Sequence, residues 1–184
     1  MKYRLLILVI CFSFIIVIAS RCKKDKGAIE QLPPETQTGA GTFGCLIDGI
    51  VFKPKGDPFG GPILSCAYQY INGGYYFQLK ASDKSSPTIF SIGIFTDSLK
   101  IEEGLMYSLQ NKNMTGEAYG TYLISEIQGL NAYLTSTINA GEFKVKKLDE
   151  TNRIISGTFW FNAFNSSGEK VQVSEGRFDM KYTL

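Results

Sequence analysis

The segment "IISGTFWFNAFNSSGEKVQVSEGRFDMKYT", Ile154–Thr183, constrains the fold more than any other part of the chain. Ile155, Phe159, Phe161 and Ala163 alternate on one face, with Gly157 between them. After the turn signal "NSSGE", Phe178, Met180 and Tyr182 alternate with Arg177, Asp179 and Lys181. Apolar residues at period two on both sides of a short Asn/Ser/Gly turn describe two half-buried strands joined as a hairpin. The same grammar recurs from Thr42 on. Phe43, Cys45, Ile47 and Val51 share a face in "TFGCLIDGIVF", as do Leu64, Cys66, Tyr68 and Tyr70 in "ILSCAYQY". "GYYFQLKAS" and "PTIFSIGIF" follow, and the turn signals "NGG", "SDKSSP" and "DETN" separate the runs.

About ten short strands are expected, with no amphipathic helix of three turns. Tight links between consecutive strands imply antiparallel pairing, because parallel neighbours need long crossovers. Ten strands in one sheet curl or split. The expectation is therefore an all-β domain over residues 42–184, an antiparallel two-sheet β-sandwich, with a closed β-barrel as the alternative.

A different composition precedes this domain. Lys2 and Arg4 lead into Leu5–Ala19, a run of apolar or small residues too short for a spanning helix but suited to a signal peptide over residues 1–21. Three of the 19 basic residues and none of the 17 acidic ones precede Cys22, so the remainder holds 16 basic against 17 acidic residues. A body with net charge −1 has no cationic excess for phosphates, which argues against nucleic acid as a partner.

Cys22, preceded by small Ala19 and Ser20 and followed by "KKDK", resembles the acylated cysteine of bacterial lipoproteins. Arg21 stands where that pattern has Gly, Ala or Ser, and Arg21→Gly is expected to improve processing. Residues 22–41 contain almost no large apolar side chain and carry Pro33–Pro34, so they read as a mobile lipoprotein tether. Two blocks, "LPPETQTGAGTFGCLIDGIVFKP" (Leu32–Pro54) and "IISGTFWFNAFNSSGEKVQVSEGRFDMKY" (Ile154–Tyr182), resemble an uncharacterised family of Bacteroidota exported lipoproteins. That resemblance implies export, a lipid anchor in the cell envelope and a β domain. It transfers no catalytic residue.

The chain has no histidine, which excludes Ser–His–Asp and Cys–His catalysis and every His-ligated metal site. No cofactor or metal is expected. Cys45 and Cys66 lie on apolar faces and form either a disulfide, which an exported protein permits, or two buried thiols. Glu102–Glu103, Asp149–Glu150 and Asp179 read as solvated charges on turns and outward strand positions, since adjacent strand residues point to opposite faces. "GDPFGGP" reads as a turn.

Trp160, the only tryptophan, falls on the face opposite Phe159 and Phe161. It either covers a minor core under a loop or forms an exposed surface for a sugar ring or a protein partner. Function is thus expected to be that of a non-catalytic envelope binding or assembly module. The alternatives are a carboxylate-dependent secreted hydrolase acting on glycans and a hydrophobic-ligand carrier.

Overall fold

The computed structural model describes residues 26–58, 61–112, 115–136 and 141–184. The expected signal peptide, residues 1–21, and Cys22 lie outside the described residues. After a five-residue helix α1 (Lys26–Glu30), the described chain is almost wholly β. The strands are β1 (Thr42–Ile47), β2 (Ile50–Phe52), β3 (Lys55–Gly56), β4 (Leu64–Ile71), β5 (Gly74–Lys84), β6 (Ile89–Thr96), β7 (Met106–Ser108), β8 (Ala118–Glu126), β9 (Gly129–Leu134), β10 (Gly141–Asp149), β11 (Ile154–Phe164) and β12 (Lys170–Lys181).

One layer runs β7-β10-β11-β12-β1-β2. The other runs β9-β8-β6-β5, with β4 and β3 both along the far side of β5. A single pair, Phe164 opposite Leu134, joins β11 to β9. The sheet folds over as a β-sandwich and does not close into a barrel. Pairing is antiparallel throughout the named strands except for β3, whose two residues lie parallel to the end of β5.

The expected alternation is realised in β11 and β12. Ile155, Phe159, Phe161 and Ala163 are buried, and so are Phe178, Met180 and Tyr182. Aromatic rings bridge the layers. Phe77 of β5 stacks on Phe143 of β10 with centroids 5.2 Å apart and planes 8° from parallel. Phe43 of β1 packs on Phe159 at 5.5 Å.

One strand reading is corrected. "TFGCLIDGIVF" is a hairpin and not one strand. Asp48 and Gly49 both have positive φ (48° and 81°), the conformation of a two-residue turn that matches strand twist. Cys45 therefore pairs with Phe52, and Phe52 rather than Val51 joins the core. In β12 the inward set switches from Val171 and Val173 to Gly176, Phe178 and Met180. An extra residue makes the switch: the register slips between Phe159 and Phe161 on the β11 side and between Gly44 and Leu46 on the β1 side.

Residues 32–41, expected to be mobile, instead pack on the domain. Leu32 is buried, and Leu32 with Pro33 covers Gly44, where a Cβ would sit 2.6 Å from Pro33 Cδ. From there the chain crosses the outer face to β10, where Glu35 pairs with Lys146, and returns to β12. Polar atoms rather than apolar area hold this strap. Asp179, expected in solvent, is fully buried beneath it. Its Oδ2 accepts from Thr36 Oγ1 (2.7 Å), Thr38 N–H (2.9 Å), Thr38 Oγ1 (3.2 Å) and Ala40 N–H (3.2 Å), and its Oδ1 from Gly39 N–H at 2.7 Å. Gly39 at φ 73° lets successive amides converge on one carboxylate.

Cys45 and Cys66 are both buried free thiols in this structure. Burial pushes both pKa values up, which suppresses the reactive thiolate. Native protein should therefore leave both thiols unmodified by an alkylating reagent on a timescale that labels them completely in urea. Rapid labelling of either one without denaturant would contradict the packing of β1 and β4.

Candidate functional site

The outer face of the β7-β10-β11-β12 layer carries an open hollow of about 410 Å³ beside the strap. Strand register builds its floor in two rows. The first crosses the sheet through Met106, Lys144, Thr158 and Arg177 and ends at Gly44 under the strap. In the second, Glu142 lies opposite Trp160. Directly opposed residues of an antiparallel pair share a face, so these side chains point outward together.

Trp160 is 40% exposed and lines this hollow. Its Nε1–H donates to Glu142 Oε2 at 3.0 Å, which fixes the indole orientation. The face assigned from alternation is correct, and the ring stands in the open rather than over a second core. Met106, from the short edge strand, shares the hollow.

The extra residue of β12 lies directly opposite Trp160. Ser174 and Glu175 face that one position, and Glu175 has φ 53°, a left-handed conformation that a side chain rarely adopts. Bulges re-aim side chains and recur beside functional sites. Here the bulge brings Ser174 and Glu175 to the rim and sets Arg177 outward, where its Nη2 lies 3.4 Å from Glu175 Oε2. Gly176 follows because the Phe159 ring occupies the space a Cβ would need, 2.5 Å away. Glu35 of the strap forms part of the wall.

Residues 98–180 match the family model described as a domain of unknown function (DUF6252). The DUF6252 match spans β7 to β12 as far as Met180, so it contains the hollow's floor and Asp179. The strap and β1–β6 lie outside it, and so does the block Leu32–Pro54. No curated protein and no solved structure matches the chain.

The acid doublets are closer together than the sequence suggests. Glu102, Glu103, Asp149 and Glu150 all line a second hollow of about 430 Å³. Three of the four have structural partners. Glu103 Oε2 accepts the Leu148 amide at 2.9 Å and lies 3.7 Å from Lys147 Nζ. Glu102 lies 3.7 Å from Lys100 Nζ, and Asp149 accepts from the amide and side chain of Asn152. Those Asn152 bonds hold Asp149 below the usual carboxylate range. Burial raises Asp83 and Asp179, but their hydrogen-bond donors outweigh it and both also lie low. Each resolved carboxylate shift among the described residues thus runs opposite to what a general acid needs. No group of three or more cysteines and acids converges on a metal position among the described residues.

Proposed function

We propose that this chain is a non-catalytic lipoprotein of the cell envelope that binds a ligand through the Trp160 hollow. The observation that carries the reading is the half-exposed Trp160 ring, pinned by Glu142 opposite a strained bulge in β12. Fixing a large aromatic ring in a wet concavity orders it before a ligand arrives, so binding forfeits less side-chain entropy. The filled interior supports a surface site over a carrier's cavity: Phe77, Phe143 and Phe161 are all at most 1% exposed between the layers.

The anchor in this reading is an acylated Cys22 after export by residues 1–21. Intact mass measurement of the membrane fraction is expected to find a chain starting at Cys22 with added acyl mass. A soluble chain starting at Arg21 would exclude the anchor.

For the binding face, the purified chain is titrated with envelope extract separated into polysaccharide, lipid and protein fractions. At least one fraction should shift the emission of Trp160, and Met106→Arg, which fills the hollow from its edge, should abolish the shift. If no fraction moves the emission, or Met106→Arg responds like the wild type, the hollow is not a binding face.

A further inference from the structure

The ligand class can be narrowed on the strength of that binding face. We propose that the hollow takes a segment of a neutral, hexopyranose-containing polysaccharide. The aromatic floor is the first reason. An indole face carries negative quadrupole charge, and the C–H-rich face of a pyranose ring is apolar and weakly positive. Trp160 lines the hollow at 40% exposure, and Glu142 holds its N–H edge.

The rim is the second reason. Carboxylate oxygens of Glu142 and Glu175 accept hydrogen bonds, and the guanidinium of Arg177 donates them. A sugar hydroxyl does both, so neighbouring hydroxyls on one ring can satisfy an acceptor and a donor placed side by side. Glu175 and Arg177 are such a pair, 3.4 Å apart. Ser174 and Gln172 add neutral groups of the same kind to the rim.

Charge is the third reason. Each acid of the hollow already has an internal partner: Glu35 has Lys146, Glu142 has the Trp160 N–H, and Glu175 has Arg177. The cations Lys144 and Arg177 stand against these acids without an excess. An anionic chain, uronate or sulfate, would meet three acids, Glu35, Glu142 and Glu175, against the two cations Lys144 and Arg177. A neutral chain displaces only water. The volume falls within the range of small-ligand sites, about 300–1,000 Å³. The open form suits a chain lying across three strands better than an enclosed monosaccharide.

The test titrates the full chain in detergent with hexaoses of glucose, mannose and galactose, and with hexagalacturonate as the anionic comparison. At least one neutral hexaose should shift the Trp160 emission, with an affinity that does not change when salt is raised from about 0.05 to about 0.5 M. By calorimetry, Trp160→Ala should weaken that binding about 30-fold or more, the loss of a hot-spot aromatic, while the urea midpoint stays at the wild-type value. Binding of hexagalacturonate alone, lost in salt, would overturn the proposal, as would no response to any hexaose. If the hexaoses fail while an envelope protein fraction still shifts the emission, the ligand class is wrong and the binding face stands. If both are silent, both fail.

Discussion

Asp179→Ala is expected to destabilise the domain by about 3 kcal/mol, the order of losing hydrogen bonds to a buried charged group and leaving their donors unmatched. The carboxylate receives five hydrogen bonds from Thr36, Thr38, Gly39 and Ala40, and it is wholly buried. Alanine leaves those donors facing a void, so the strap must lift to reach water. Amide hydrogen exchange at Thr38, Gly39 and Ala40 should then approach unprotected rates. Asp179→Asn keeps the shape but replaces one acceptor oxygen with a donor, and about half the loss is expected.

Acid should reproduce the effect. Burial alone would raise the Asp179 pKa, but the donors outweigh burial and hold it below the usual value. A carboxylate whose folded pKa lies below its unfolded value of about 3.9 contributes its full stability above that pH. The contribution is lost as the pH falls through the lower folded value. Strap protection should therefore fall below about pH 4 in the wild type and show no such dependence in Asp179→Asn. Equal urea midpoints for wild type and Asp179→Ala, with the strap amides unprotected in both, would contradict the clamp.

Phe161→Ala is the second large effect. The ring is fully buried, stacks beside Phe159 at 6.4 Å and lies over Gly120 of the opposite layer, where an added Cβ would come within 2.9 Å of it. Truncation empties the space between β11 and β8, and two sheets held by their own ladders cannot collapse into it. A loss of about 3–5 kcal/mol is expected, read as a lowered urea midpoint with an unchanged slope. Trp160→Ala, on the other face of the same strand, should leave the midpoint close to wild type. Unfolding of Phe161→Ala at the wild-type urea concentration would mean that the inward register of β11 is wrong.

Residues whose role depends on their own strand could be read from the sequence. Phe159, Phe161, Phe178 and Met180 announce their face by spacing alone, and the same spacing puts Trp160 outside. Residues whose role depends on what crosses them could not. Asp179 alternates as an outward residue and is one, yet it is buried because a distant polar segment lies over it. Lack of large apolar side chains made Leu32–Gly41 read as unattached, but hydrogen bonds to one carboxylate hold it. Met106, Glu142 and Arg177 join Trp160 only through pairings among β7, β10, β11 and β12, which no local pattern records. The bulge left a trace that can be read in hindsight: apolar residues at Val171 and Val173 continue at Phe178 and Met180, an odd-to-even switch that requires one extra residue. The Asp48–Gly49 turn left an equally plain one, the Asp-Gly pair itself.

A half-exposed tryptophan stands in an open hollow on the outer face of the sandwich. Trp160 is the only tryptophan in the chain, so its fluorescence reports on that position alone. The structure predicts emission intermediate between buried and fully solvated indole, quenched by acrylamide in the native protein, with Glu142→Gln altering the spectrum through the bond to Nε1. A blue-shifted emission that resists acrylamide until the protein unfolds would place the ring in a closed core and contradict the account.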